Sequence, residues 1–358
     1  MSRYFTAELE RLEPYTPGEQ PQDQQYIKLN TNESPYPPAP GVIQVVAAAS
    51  EALRLYPDPE NGRLAKAAAL YHGVEPDNIL CGNGSDENLM LAIRAFCGAG
   101  RGLAFADVTY GFYPVWCDLF GIPQKVLPLK EDFTLDPADY YGLDEKEKVG
   151  AIVIANPNAP TGLTLPADAL AGIARRNPGA VVIVDEAYVD FGGESCVRFV
   201  REGTPENLLV VQTFSKSRSM AGARLGLCIG PKALIDDLKR IKYSMNPYNV
   251  DRMTEAAGIA ALADRAYFDK NCAAIRDTRA KTTDTLRKMG FTVLDSSTNF
   301  VFAKTPKMPG GELYKALKQR GVLVRHFATP RLQDWVRITI GSPEQMQGFF
   351  AALREILA

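Results

Sequence analysis

Residues 151–188 read AIVIANPNAPTGLTLPADALAGIARRNPGAVVIVDEAY. Two apolar, β-branched runs, Val149–Ala155 and Val181–Val184, flank a stretch of helical spacing over Ala167–Arg175. Apolar runs without polar alternation suit strands buried on both faces, and a helix between two of them is the crossover of a parallel sheet. The first run ends in Asn156-Pro157-Asn158-Ala159-Pro160-Thr161-Gly162, a rigid turn. The second ends in Asp185-Glu186-Ala187-Tyr188.

Outward from this unit the pattern repeats. Ile79–Cys81 precedes a helical Ser85–Cys97, Leu103–Ala106 precedes a stretch near Tyr113–Phe120, and Leu208–Gln212 follows as a further strand. A helix is expected from residue 41 to the turn at Tyr56-Pro57-Asp58-Pro59. After about residue 245 the texture changes. Residues 250–288 lack proline and are expected as one helix joining two lobes, with Gly258 its weak point. Beyond it Phe291–Leu294, Phe300–Ala303, Val322–Val324 and Val336–Ile340 read as strands, and 311–319 and 343–357 as helices. The fold class expected is α/β. A large three-layer α/β/α domain with a mostly parallel sheet spans 41–245, and a smaller α+β domain combines 246–358 with an N-terminal arm, 1–40.

Composition narrows the function. The 358 residues carry 40 Lys+Arg against 42 Asp+Glu, a net charge of −2, which argues against nucleic-acid and membrane-surface partners. The six cysteines (81, 97, 117, 196, 228, 272) form no C-x-x-C pair and there are two histidines, so no metal site is expected. The same scarcity argues against a histidine base. The opening MSRYFTAELERLEPY carries acids and has no apolar signal core, and no apolar run is long enough to span a bilayer; a cytoplasmic protein is expected.

In open α/β sheets ligands collect at the carboxyl ends of strands, so four turns are expected to converge. Cys81–Glu87 (CGNGSDE) brings glycines and a helix start, a cradle for phosphate or an ordinary N-cap at Ser85 or Asp86. Asn156–Gly162 in isolation is a structural βα turn. Asp185 at the end of a buried strand needs a cation or serves as a cap. Thr213–Gly226 (TFSKSRSMAGARLG) sets Lys216 among hydroxyls and glycines, placed for a Schiff base with an aldehyde, with Thr213, Ser215 and Arg224 able to hold a phosphate. A lysine, a carboxylate for a ring nitrogen, a tyrosine and a phosphate cradle are what pyridoxal 5′-phosphate requires.

Taken in order, these motifs resemble those of the fold-type I pyridoxal-phosphate aminotransferases, and within them the histidinol-phosphate aminotransferases. The likeness runs over essentially the whole chain and includes Leu29–Pro35 (LNTNESP), Tyr56-Pro57-Asp58, Thr109-Tyr110-Gly111, Ser297–Phe300 (STNF) and Val336–Gly341 (VRITIG). The resemblance implies pyridoxal 5′-phosphate as cofactor. It makes Lys216 the Schiff-base lysine that also carries the proton between Cα and C4′, and pairs Asp185 with the pyridinium nitrogen. It sets Tyr188 and Asn158 on the phenolic O3′ and Tyr110 on the ring face. Ser85 and Asp86 (through backbone N–H), Thr213, Ser215 and Arg224 would hold the phosphate. Substrate contacts are implied for Tyr15, Asn32, Arg325 and Arg337, and for Tyr56 from the neighbouring subunit of a homodimer.

Two departures stand out. Related enzymes often have Asn before Pro-Thr-Gly where this chain has Ala159, which moves the O3′ contact to Asn158. Ser217-Arg218-Ser219 replaces a commoner Ala-Phe pattern, and no role follows for it. The activity implied is transfer of the amino group of L-histidinol phosphate to 2-oxoglutarate, giving imidazole acetol phosphate and L-glutamate, in histidine biosynthesis. The alternatives within the fold are an aromatic amino-acid aminotransferase and a threonine-phosphate decarboxylase. A non-catalytic regulatory module and a nicotinamide dehydrogenase are more distant readings.

Overall fold

The structure, a computed structural model, describes residues 2–10 and 12–358. Its central sheet has seven strands in the order Ile79–Asn83, Leu225–Ile229, Leu208–Thr213, Val181–Asp185, Val149–Ala155, Gly102–Ala106, Gln124–Leu127. Leu225–Ile229 runs antiparallel to both neighbours, and the remaining pairs are parallel. Every residue of the Val149–Ala155 and Val181–Asp185 strands is buried, as their unbroken apolar character requires. Each face of the sheet is covered by its own core. Leu64, Ile152, Leu170, Val182, Val210 and Leu225 belong to one, and Leu89, Leu103, Trp116, Val153, Ile183 and Leu209 to the other. The layers are those of the α/β/α class expected.

A four-stranded antiparallel sheet (Arg325–His326, Val336–Thr339, Phe300–Lys304, Thr292–Val293) forms the second lobe with the helices Gly310–Gln319 and Pro343–Leu357. The N-terminal segment joins this lobe. Ile27–Lys28 pairs in parallel with Val322–Leu323, and Leu29 is buried in the second core with Phe349 and Ile338.

Three elements differ from expectation. Residues 250–288 form two helices, Arg252–Ala263 and Arg265–Lys288. Asp264 separates them, its carboxylate accepting from the Tyr267 N–H at 3.1 Å, so a cap outcompetes continuation. Ala257, Ala261 and Leu262 belong to the first core and Phe268, Cys272 and Ile275 to the second, so the chain changes lobes at that cap. Gly258 lies inside the first of these helices; a Cβ there would stand 2.5 Å from Leu225 and 2.9 Å from Leu64, and glycine permits that approach. The first long helix stops at Ala49, passing into a tighter turn over Ser50–Ala52. The antiparallel strand Leu225–Ile229 is not among the expected strands; its first two residues close the glycine-rich Thr213–Gly226 motif. All six cysteines are buried and unpaired with one another.

Candidate active site

Strand pairing, parallel for the first two pairs here and antiparallel for the third, sets strand ends side by side. Ala155 stands opposite Asp185, Asp185 opposite Val211, and Thr213 opposite Gly226. Gly82 pairs with Gly226, which brings the start of the helix Gly84–Phe96 to the same edge. A cavity of about 450 Å³ opens there. Ser85, Asp86, Tyr110, Asp185, Tyr188, Thr213, Ser215, Lys216 and Arg224 all line it. The four turns do converge.

At the floor, Asp185 Oδ2 accepts from the Tyr113 hydroxyl at 2.8 Å and Oδ1 from the Ala187 N–H at 3.2 Å. Burial pushes the carboxyl up to about 6, against the pull of those two donors. A cation bound above it would hold it ionised, so this carboxylate is a partner awaiting positive charge, not a helix cap. Lys216 is half-buried. Loss of water, then the charge of Arg337, pushes its amine down to about 8. Its Nζ donates to the Thr31 carbonyl at 3.2 Å and lies 5.9 Å from the Tyr188 ring centre. A lysine with that pKa has a useful fraction of neutral, nucleophilic amine near pH 7.5.

The opposite end suits an anion. Asn83 caps the helix Gly84–Phe96 without a side-chain cap bond, so the first-turn N–H groups at Ser85 and Asp86 are left to the cavity edge. Gly84 has φ +77°, and a Cβ there would come 2.6 Å from the Arg224 guanidinium, so glycine is required for this approach. Arg224 pairs with Asp86 at 2.9 Å, and the Tyr110 hydroxyl donates to the other Asp86 oxygen at 2.8 Å. Thr213 Oγ1 donates to Ser215 Oγ at 3.0 Å. A buried carboxylate, a half-buried amine and a cationic cradle stand along one cavity, and this donor set fits pyridoxal 5′-phosphate.

A second cavity of about 440 Å³ adjoins the first and shares Thr31, Tyr110, Ala159, Tyr188 and Lys216 with it. Tyr15, Asn32, Arg325 and Arg337 line this one. Arg337 is the informative member. One Nη donates to the Asn30 carbonyl at 3.0 Å, while Nε is buried with no partner among the described residues. Arg325 donates to the carbonyls of Thr16 and Pro17, tying the arm to the cavity rim. Tyr15 stacks on Phe112 with ring centres 4.2 Å apart. Asn32 donates from Nδ2 to the Tyr188 hydroxyl at 2.9 Å.

Two expected residues stand elsewhere. Asn158 lines neither cavity. Its Nδ2 donates to the Val108 carbonyl and Thr161 Oγ1, and its Oδ1 accepts from Thr109, which exhausts its reach. The methyl group of Ala159 faces the cofactor cavity at that point, so of the expected pair only Tyr188 is placed for an O3′ contact. Tyr56 is 77% exposed, stacks on Tyr248 at 4.7 Å and meets neither cavity of its own chain.

Sequence reasoning missed Tyr113, Thr31 and the tie from Arg331 to Asp107. Tyr113 lies in the first turn of the helix Phe112–Phe120, three residues after Tyr110, and its ring meets that of Tyr110 edge-on at 5.7 Å. Thr31 acts through a backbone carbonyl and Arg331 through a contact between lobes; neither leaves a mark in local pattern. Ser217-Arg218-Ser219 proves to anchor the lysine turn. Ser217 donates to Asp190 and Ser219 to Ser34. Arg218 lies over Phe268 and Tyr71 at 4.3 and 4.7 Å and donates to the Ala261 carbonyl.

The chain matches the family model for aminotransferase class I and II over residues 24–353. It is 47% identical to histidinol-phosphate aminotransferase 1 of Bordetella parapertussis, over 100% of both chains. It is also 47% identical to the histidinol-phosphate aminotransferase of Marinomonas sp., over 99% of this chain and 100% of that one. Among solved structures, histidinol-phosphate aminotransferase from Sinorhizobium meliloti, in complex with pyridoxal-5′-phosphate, superposes with a TM-score of 0.90 at 26% identity, covering 100% of this chain and 98% of that one. The geometry of the lysine, the carboxylate and the cradle agrees with that likeness, and the chain belongs to the class I and II aminotransferase family, in its histidinol-phosphate aminotransferase branch.

Proposed function

We propose that the protein transfers the amino group of L-histidinol phosphate to 2-oxoglutarate, yielding imidazole acetol phosphate and L-glutamate, as a cytoplasmic homodimer in histidine biosynthesis. The observation that carries the reading is Arg337, half-buried on the wall of a cavity it shares with Lys216 and Arg325, its buried Nε without a partner among the described residues. A guanidinium at a cavity wall with an unpartnered donor suits an anion, and both substrates bring one to the reacting carbon's neighbourhood: a phosphate in one half-reaction, a carboxylate in the other.

Pyridoxal 5′-phosphate, when bound, supplies an aldehyde for exchange with amines and a ring that takes up the electron pair left at Cα. The protein does the rest. Arg224, Thr213, Ser215 and the helix start hold the phosphate end. Asp185 holds the ring nitrogen's charge, Tyr188 the phenolic oxygen, and Tyr110 covers the ring. Lys216, with its lowered pKa, takes the proton from Cα and returns it to C4′. The two half-reactions use one pocket in turn, hence ping-pong kinetics. Tyr56, exposed on its own chain near Leu53, Leu55 and Met245, which are exposed too, supports a dimer in which it completes the neighbour's site.

The test is product formation by the purified holoenzyme with histidinol phosphate or phenylalanine as donor. Glutamate from histidinol phosphate, lost with the visible absorption band in Lys216→Ala, is the expected result. Preference for phenylalanine would favour the aromatic alternative, carbon dioxide release the decarboxylase, and turnover by Lys216→Ala would overturn the mechanism.

A further inference from the structure

Behind the wall of the substrate cavity lies another cavity, of about 110 Å³, that the reaction does not use. No charged side chain lines it: Leu129, Phe133, Leu135, Val153, Leu163 and Leu165 give apolar surface, and the polar side chains of Thr109, Thr134, Asn156, Asn158 and Thr164 are hydrogen-bonded within the chain. One polar group is out of place there. Tyr140, 2% exposed, lines the cavity, and its hydroxyl is buried with no hydrogen-bond partner among the described residues. A buried hydroxyl without a partner has given up its hydration uncompensated, and a guest that hydrogen-bonds to it restores the loss.

The partition from the active site is thin. Thr109 lines both this cavity and the substrate cavity, Ala155 both this one and the cofactor cavity, and the Thr109 hydroxyl donates to Asn158 at 3.0 Å across the dividing wall. Phe133 adopts φ +66°, unusual for a bulky side chain, and its ring meets Trp335 and Phe302 of the second lobe edge-on at 5.5 and 6.1 Å. The cavity thus borders both the catalytic wall and the contact between lobes. Thr134 is exposed and Leu135 half-buried, which gives a guest a way in from solvent.

We propose that this cavity is a second, non-catalytic ligand site for a small neutral aromatic molecule bearing one hydroxyl, the size of phenol. An apolar cavity of about 150 Å³ takes benzene, and at about 110 Å³ this one is smaller, which limits a guest to a single six-membered ring and excludes a fused ring system. The absence of charged lining excludes ions. Tyr140 O–H, the lining side-chain group left without a partner among the described residues, supplies the polar contact that selects a ring with a hydroxyl over a plain hydrocarbon.

The test uses the holoenzyme with phenol followed by calorimetry and 4-fluorophenol followed by fluorine NMR. One saturable site per chain is expected, with Kd of about 1 mM for a ligand of seven heavy atoms. Leu135→Trp, which fills the cavity and touches neither functional cavity, abolishes binding. Tyr140→Phe removes only the unpartnered oxygen, so it folds as the parent does; it weakens phenol roughly five- to tenfold and leaves toluene binding unchanged. The proposal is overturned if phenol does not saturate at any soluble concentration, which would leave the Tyr140 hydroxyl to water. It is equally overturned if Leu135→Trp binds phenol like the parent, which would place the guest in the substrate cavity, or if Tyr140→Phe retains full phenol affinity.

Discussion

The Tyr113 hydroxyl donates to Oδ2 of Asp185 at 2.8 Å from a fully buried side chain, making it one of two donors that hold the floor carboxylate toward its charged form. Removing it in Tyr113→Phe leaves Asp185 with the Ala187 N–H alone and raises its pKa further above about 6. Cofactor affinity is expected to fall roughly fivefold to tenfold, the worth of one hydrogen bond to a charged group, with the loss larger at pH 6 than at pH 8. Titration of the apoprotein with pyridoxal 5′-phosphate at the two pH values checks this; equal affinity at both would show that Tyr113 only fills space.

The same carboxylate makes the apoprotein pay for its function. Asp185 titrates near 6 in the folded chain against 3.8 for the ordinary side chain. Between those values the folded state binds more protons than the unfolded one, so the contribution to stability falls as pH rises through that window and stays low above it. Asp185→Asn should therefore raise the apoprotein's Tm, with the gain over the parent growing from pH 4 to pH 6 and then levelling. Transamination should fall by at least about 100-fold, since the ring nitrogen loses its counter-charge. Melting curves of the two apoproteins across pH, with rates at neutral pH, measure both halves.

Lys216 and Arg337 are coupled through space. Burial is the larger cause of the lowered Lys216 pKa, and the Arg337 charge the next. Arg337→Leu removes the second, so the amine's midpoint moves up from about 8 and less of it is neutral at pH 7.5. Two effects should separate. The rate at which apoprotein captures the cofactor aldehyde should keep rising to higher pH than in the parent, and KM for both substrates should rise at least about tenfold through the lost anion contact. Arg337→Lys keeps the charge but not the fork; it should restore the pH profile and not the KM.

Much of this site was legible in the chain because its chemistry sits on sequence-local motifs. Asp185 follows an apolar run that had to be a strand, and Lys216 follows another, so parallel pairing alone brings them to one edge. What was not legible depends on distance or on competition between neighbours. Asn158 stands in the turn that reaches the cavity, yet its amide is claimed by Val108, Thr109 and Thr161, and only coordinates reveal that. Asp264 breaks a continuous helical pattern because its carboxylate caps the next helix, a choice that depends on each half packing against a different core. No role follows for Arg218 from its place in a polar triplet, yet three aromatic rings from separate elements gather round it.

Arg331 reaches from the second lobe to the Asp107 carboxylate and to the carbonyls of Leu129 and Lys130. Asp107 lines the substrate cavity, as do Thr329 and Leu332 on either side of Arg331, so the tie closes one rim of that cavity. The pair is partly exposed, with the Arg331 side chain 36% accessible, and solvent screens it. Arg331→Ala is expected to raise KM for both substrates roughly threefold to tenfold while leaving the cofactor absorption spectrum unchanged. A changed spectrum with normal KM would place the tie's influence on the cofactor side instead.

Tyr56 bears on assembly. It is exposed, held by its own chain through Tyr248 and through the Arg252 side chain, which donates to the Leu55 and Tyr56 carbonyls, and it meets no cavity of that chain. If it serves the neighbour's site, Lys216→Ala and Tyr56→Ala damage sites that draw on different chains. In a mixed dimer one site carries both substitutions and the other carries neither. Two variants of low activity should then recover on mixing, after reversible dissociation, toward about a quarter of wild-type activity, because half the dimers are mixed and each has one intact site of two. Recovery should climb with time as subunits exchange and vanish when the dimers are cross-linked beforehand. A mixture that stays at the average of its two components would mean that each chain builds its site alone, and the exposed Tyr56 would need another explanation.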